Sequence, residues 1–334
     1  MPYRLFALPL LLALLTSPAF SDDLTETADA YLDAIRSENW NRMASLLAPG
    51  AQYQDYSMEF FDRPMIDLEG PDAIVGFWRD SAADAGTIDV KWQFDERFAS
   101  GPNLFLIGQT YVHNKGDVWG FPGHDLKTRF PQITHLRIVD GKVVYHADHV
   151  NYDVAGRQLT EQTEAIVGKA GEGEPLRWEN PLPEASLYKT ATAYIDAIEA
   201  MDWTAMANFL NDKSRYQDFS IELTTGEIFD LAGRDAIVKV WSEGATASGI
   251  LSMNFETENR FVAGPNVFAL GHIQVRMKGE AAGLPGREVE VRVRHILHLR
   301  IVDGKILHHT DHVDYTSFLS QIEAAAAKSG ASGR

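Results

Sequence analysis

Cysteine is absent from the 334 residues. Disulfide staples, a thiol nucleophile and a lipid-modified cysteine are therefore excluded, and stability has to come from packing in whichever redox compartment the chain occupies. Basic charge is scarce too, with 30 Lys and Arg against 47 Asp and Glu and a formal charge of -17. Nothing in the chain looks like a basic patch, so nucleic acid and anionic lipid surfaces are not expected as partners. Long apolar runs are missing after the first 21 residues, and no later segment approaches membrane-spanning length. Those 21 residues are the exception. Arg4, the run LFALPLLLALL and Ala19-Phe-Ser21 have the charged start, short apolar centre and small-residue exit of a secretory signal peptide. Cleavage after Ser21, a periplasmic or secreted location and no membrane association afterwards are the expectation.

What the chain does have is an internal duplication. HLRIVDGKVVYHADHVNY, from His135 to Tyr152, returns as HLRIVDGKILHHTDHVDY, from His298 to Tyr315, with twelve of the first sixteen positions identical. The same shift of 163 residues superposes Tyr31 on Tyr194, Trp40 on Trp203, Tyr53-Gln-Asp55 on Tyr216-Gln-Asp218 and Asp72-Ala-Ile-Val on Asp235-Ala-Ile-Val. One domain is present twice. The expected division is a leader at 1–21, a first domain at 22–169, a Gly-, Pro- and Glu-rich linker at 170–184, a second domain at 185–320 and a flexible tail at 321–334.

Within the first copy, Ala28, Tyr31, Leu32 and Ile35 fall at helical spacing, as do Trp40, Met43, Leu46 and Leu47. Ala51 to Ser57 alternates as a strand, placing Tyr53 and Asp55 on one face. Gly70-Pro71 opens a further helix through Ile74, Val75 and Trp78. From Ile88 onward the pattern is long strands, ending in a hairpin turned at Asp140-Gly141. Helices at the front and antiparallel strands behind predict an α+β domain whose twisted sheet wraps the helices.

Several side chains in this arrangement carry chemistry. His146 and Asp148 stand two apart on a strand and point the same way, whereas Ala147 and His149 point to the other face. With Asp55, Tyr31 and Tyr53 they form a workable set for moving a proton beside a carbonyl, and Tyr194, Tyr216, Asp218, His309 and Asp311 repeat it. The structural alternative is a cluster that satisfies itself, Asp148 holding His146 and Tyr53 holding Asp55. A metal shell from His146, Asp148 and His113 is disfavoured, because Arg276 replaces His113 in the second copy. Trp78 and Trp241 sit on apolar faces. Trp119 and Phe121 instead lie in a Gly-rich loop with no aromatic counterparts, where loop aromatics commonly shape access to a pocket.

These marks, namely the short helix pair, the Tyr-x-Asp strand, the G-x-D-A-I-V…W helix and the final hairpin ending in Asp-His-Val-x-Tyr, resemble the nuclear transport factor 2-like and SnoaL-like family. The resemblance implies two tandem cone-shaped domains, each a strongly curved antiparallel sheet wrapped around N-terminal helices. By likeness to ketosteroid isomerase, Tyr31 and Tyr194 fall at the oxyanion-hole tyrosine, and Asp55 and Asp218 at the general-base aspartate. Thr134 and Leu297 stand where that family has its protonated carboxylic acid. SnoaL-type cyclases carry an acid/base aspartate where Asp148 and Asp311 stand, and the His146/Asp148 face would line the cone. Tyr53, Trp78, His113, Trp119, Phe121, Thr134, Tyr216, Trp241 and Leu297 are then candidate ligand contacts.

The resemblance also implies that the two copies can pair as an intramolecular pseudo-dimer through the face carrying His135, Arg137, His298 and Arg300; otherwise these are solvated outward positions. Three functions follow as expectations: binding of a small hydrophobic or amphipathic molecule, a cofactor-free isomerase, dehydratase or cyclase, or an assembly module acting through the outer sheet faces. No cofactor is expected in any of them.

Overall fold

The computed structural model describes residues 19–55, 57–58, 65–170, 173–177 and 184–331. The expected leader lies outside the described residues up to position 18, and so does part of the linker. The chain divides between residues 182 and 183 into two units, each with its own core.

The first unit opens with α1 (Ala19–Arg36), which buries Ala28, Tyr31, Leu32, Ala34 and Ile35 along one stripe. α2 (Trp40–Leu46) starts where the Asn39 side chain accepts the Arg42 N–H at 3.1 Å. There follow β1 (Leu47–Asp55), a short β2 (Ile66–Glu69) and α3 (Pro71–Asp84), whose proline sits in the first turn. The long strands are β3 (Thr87–Ser100), β4 (Asn103–Lys115), β5 (Asp125–Val139) and β6 (Lys142–Val150), and α4 (Tyr152–Ala170) closes the unit.

The second unit repeats this order with α5 (Glu184–Glu199), α6 (Trp203–Ala207), β7 (Arg215–Asp218), a one-turn α7 (Glu222–Thr225), β8 (Phe229–Ala232), α8 (Arg234–Ala247), β9 (Ile250–Ala263), β10 (Asn266–Lys278), β11 (Glu288–Val302), β12 (Lys305–Val313) and α9 (Tyr315–Ala331). The tail expected at 321–334 is thus helical as far as Ala331. Its alanine run favours helix, and Ile322 is buried.

Each unit folds one six-stranded sheet, ordered β2-β1-β6-β5-β4-β3 in the first and β8-β7-β12-β11-β10-β9 in the second. The sheets are mixed, not wholly antiparallel as expected: β1 runs parallel to β6, and β7 to β12. Alternation of side chains reports which face a residue takes and is silent on strand direction. The parallel junction matters for the site, because it sets Tyr53 beside His146 and Asp55 beside Asp148, while the β5–β6 hairpin sets Thr134 opposite Asp148. The hairpin turn has Asp140 at φ 51° and Gly141 at φ 67°, and its counterpart has Asp303 at 51° and Gly304 at 70°. Two successive left-handed residues form the turn that suits the natural twist of a hairpin.

Curvature is built in between β3 and β4, where the register slips at Phe94/Glu96. Opposite that bulge a side chain on Gly108 would place its Cβ 2.0 Å from the Gln93 carbonyl oxygen, and at Gly271 the corresponding distance is 1.9 Å from Glu256. Only glycine permits this approach. The sheet of the first unit folds over a core that includes Tyr31, Met43, Tyr53, Ile74, Leu104, Leu106 and Leu136.

Candidate functional site

The interior of the first unit holds a connected polar chain. The Tyr31 hydroxyl lies 3.1 Å from His146 Nδ1. On the other side of the ring, His146 Nε2 is 3.1 Å from Asp148 Oδ2, at ion-pair distance but off the line of a hydrogen bond. Asp148 is clamped by three donors: Tyr53 Oη at 3.3 Å on one oxygen, and Gln132 Nε2 and Thr134 Oγ1, each at 2.7 Å, on the other. The Thr110 hydroxyl in turn donates to Gln132. Trp78 stacks on His146 with centroids 6.1 Å apart and planes 2° from parallel, and Tyr53 packs against both rings. All of the polar members are buried; His146 is 1% and Asp148 2% exposed.

Asp55 has separate partners. Tyr152 Oη donates to it at 2.8 Å and the Ser57 N–H at 2.8 Å, so Tyr152 and not Tyr53 holds this carboxylate. Burial, reinforced by the negative charge of Asp148, pushes the Asp55 carboxyl up to about 7 against those hydrogen bonds. Burial acts on Asp148 in the same direction. There, however, the charge of His146 and the hydrogen bonds from Thr134 and Gln132 prevail, and the group is held below the usual carboxylate range. Tyr31 is raised well above an ordinary phenol, first by burial and then by Asp148, so its hydroxyl stays neutral. Two carboxylates on neighbouring strands are thereby driven apart, one ionised and one close to half-protonated at neutral pH.

The second unit rebuilds this chain with two changes in the clamp on its aspartate. Tyr194 Oη is 2.9 Å from His309 Nδ1, His309 Nε2 is 3.1 Å from Asp311 Oδ2, and Trp241 stacks on His309 at 5.8 Å. Tyr216 packs against both rings. Asp218 accepts from Tyr315 at 3.0 Å and from the Ser220 hydroxyl at 2.7 Å, and burial together with Asp311 pushes it to about 7. His295 replaces Gln132 and sets Nε2 2.7 Å from Asp311 Oδ1, and Leu297 replaces Thr134, so the hydroxyl donor is lost. Burial acts to raise Asp311, yet the two imidazoles hold it far below the usual range.

The fold therefore brings together Tyr31, Tyr53, Trp78, Thr134, His146 and Asp148, with Asp55 alongside, and the equivalent set in the second unit. Other expected contacts stay away. His113 pairs with Asp125 at 2.8 Å toward the far end of β4. Trp119 donates its indole N–H to the Ala85 carbonyl at 3.0 Å, and Phe121 packs with Leu126 and Leu159 against α4, so this loop closes a separate apolar cluster and has no place beside Asp148. Thr134 serves as a clamp on Asp148.

His135 and His298 are not solvated either. Each is 1% exposed, stacked on Phe105 or Phe268 and bonded to Asn103 at 2.9 Å or Asn266 at 2.8 Å. Gln132, Thr110, Ser57 and Tyr152 were not foreseen. Tyr152 and Ser57 recur unchanged as Tyr315 and Ser220, and that recurrence was available in the sequence. The exchange of Gln132 for His295 needed the register of β5 on β6 before it meant anything.

A cavity of about 290 Å³ opens in the second unit between α5, β9 and β10, and a smaller one of about 10 Å³, with room for one water, adjoins it and reaches His295 and Leu297. Asp148 and Asp311 line neither. Among the described residues, no helix is long and apolar enough to cross a membrane.

A SnoaL-like domain family matches residues 28–146, and a SnoaL-like polyketide cyclase family matches residues 189–322. No curated protein matches the chain. Among solved structures, a SnoaL-like polyketide cyclase from Shewanella denitrificans OS-217, so described provisionally, shares 22% identity over 41% of this chain and 97% of its own, with a TM-score of 0.37. A counterpart from Shewanella putrefaciens CN-32 shares 23% over 43% and 98%, also at 0.37. A protein with a ketosteroid isomerase-like fold from Catenulispora acidiphila DSM 44928, in complex with trimethylamine, shares 19% over 43% and 93%, at 0.33. With a Tyr–His–Asp chain enclosed by a wrapped six-stranded sheet in each half, the protein belongs to the SnoaL-like family as two such domains in tandem.

Proposed function

We propose that this is an extracytoplasmic tandem SnoaL-like protein that binds a small hydrophobic or amphipathic molecule within its cone-shaped domains. The observation that supports binding is the cavity of about 290 Å³ in the second unit, a volume near the lower end of small-molecule sites. Asp148 argues in the same direction, because it already accepts from three side chains and lines neither cavity. Export rests on the leader alone. A thermal-shift screen of single- and double-ring hydrophobic compounds tests the reading, with a raised melting temperature expected for some of them. If none of the compounds shifts it, the proposal fails.

A second reading, cofactor-free proton transfer of the isomerase, dehydratase or cyclase kind, is favoured by one observation: Asp55 and Asp218 both sit near 7 beside an ionised neighbour. It is tested by deuterium exchange into cyclohexanone, expected to disappear when Asp55, Asp148, Asp218 and Asp311 are all changed to Asn. Exchange that persists in that variant removes these residues from any mechanism.

A further inference from the structure

The duplication supplies an internal comparison for the cavity. Its inner walls in the second unit are Ile195 on α5, Phe255 and Thr257 on β9, and Val267 and Ala269 on β10, while Thr192, Asp196 and Arg260 form an exposed polar rim with Glu199 half-buried beside it. The equivalent positions in the first unit are Leu32, Trp92, Phe94, Leu104 and Leu106. There, Leu32, Leu104 and Leu106 are buried in the main core, with Trp92 and Phe94 packed against it. Interiors are close-packed, so shortening Phe to Thr, Leu to Val, Leu to Ala and Trp to Phe around one point leaves space that the backbone, held by the same strand register, does not close.

The rim differs as well. In the first unit Arg97 reaches back to Asp29 on α1 at 2.9 Å. The second has Thr192 in place of Asp29, and Arg260 lies instead over the Tyr188 ring at 5.5 Å. The strap across the opening is thereby lost. Inward, the adjoining space of about 10 Å³ shares Ile195, Phe255, Thr257 and Ala269 with the larger one and ends on His295. His295 is the residue that departs from Gln132, and it is fixed by its bond to Asp311.

We infer that the second unit alone holds the ligand site, entered between α5, β9 and β10, and that its ligand is a compact, largely apolar molecule with one hydrogen-bonding group directed inward to His295. The first unit serves as a filled scaffold. This rests on the ligand-binding reading above and narrows it to one domain, one set of walls and one chemical class. The inner walls at Ile195, Phe255, Val267 and Ala269 favour a ring system below the polar rim of Thr192, Asp196 and Arg260, and the volume limits it to about two fused rings.

The test uses the full mature chain and two probes, 2-naphthol and naphthalene, followed by ligand-observed NMR and by calorimetry. Wild-type protein is expected to bind 2-naphthol more tightly than naphthalene. Placing the first unit's residues in the second, as Thr257→Phe with Val267→Leu and Ala269→Leu, is expected to weaken 2-naphthol binding at least tenfold. Ala269→Leu alone is the fallback if the triple variant does not give a wild-type circular dichroism spectrum. Trp92→Phe in the first unit is expected to leave the affinity unchanged. His295→Gln, which retains a donor to Asp311 as Gln132 does for Asp148, is expected to weaken 2-naphthol and spare naphthalene.

Undiminished 2-naphthol binding in the filled variant would overturn the site while leaving a ligand-binding protein in place. Equal loss of both probes in His295→Gln would overturn the inward orientation. A wild-type chain that binds neither probe would take the ligand-binding reading down with it.

Discussion

Asp55 and Asp218 make the pH dependence of stability unusual in sign. Both carboxyls are pushed to about 7 in the folded chain by burial and a neighbouring negative charge, against about 3.9 for an unperturbed Asp. A group that binds its proton more tightly when folded contributes stability fully below the unfolded value and loses it as pH rises through the folded one. From about pH 4 to pH 7 these two residues therefore pull stability downward, whereas Asp148 and Asp311, held low, lose their contribution only in stronger acid. Replacing Asp55 and Asp218 by Asn removes the ionisation while keeping the shape. The melting temperature of the double variant relative to wild type is expected to climb between pH 5 and pH 8, as read by differential scanning calorimetry. A difference that stays flat over that range would show that neither carboxyl is raised. Tyr31→Phe is milder: it removes the hydroxyl facing His146 Nδ1 and leaves that buried nitrogen unpaired, at a cost of about 1–3 kcal/mol in chemical denaturation.

Gly108 and Gly271 carry the corresponding argument for the strands. A Cβ at either would penetrate the backbone of the neighbouring strand, at 2.0 Å and 1.9 Å from a carbonyl oxygen, and neither strand can move without disturbing the bulge that bends the sheet. Gly108→Ala and Gly271→Ala are each expected to destabilise the chain by about 1–3 kcal/mol or more, measured by urea unfolding. A variant with an unchanged midpoint would mean the bulge is dispensable.

The elements themselves were largely legible. Tyr31 on a helical stripe, the Asp140-Gly141 hairpin and the shared face of His146 and Asp148 all follow from periodicity and turn chemistry. The short edge strand β2 and the parallel setting of β1 on β6 do not, since four residues carry too little pattern and alternation has no direction. For the same reason the partners of the carboxylates do not follow from the strand pattern. Tyr53 shares a face with Asp55 along its own strand, yet across the sheet its hydroxyl meets Asp148, and Asp55 is left to Tyr152 from the start of α4. Trp119 and Phe121 were misplaced because a loop's packing partner, here α4, lies outside any local window.

The two units hold the same fold with differently packed interiors, and that difference should be visible in how they breathe. In the first, large side chains fill the space between helix and sheet and an ion pair from Arg97 to Asp29 spans the rim; in the second, smaller residues leave about 290 Å³ open at the same place. Fewer packed side chains along β9 and β10 mean fewer contacts to break when those strands open locally. Native-state hydrogen exchange read by mass spectrometry is therefore expected to show faster exchange in peptides from 250–278 than in the equivalent 87–115. Adding 2-naphthol should slow the former and leave the latter unchanged, because a ligand stabilises only the unit that holds it. Equal protection in both units would show that the smaller side chains have been compensated by packing, and protection of 87–115 by the probe would move the ligand to the other domain.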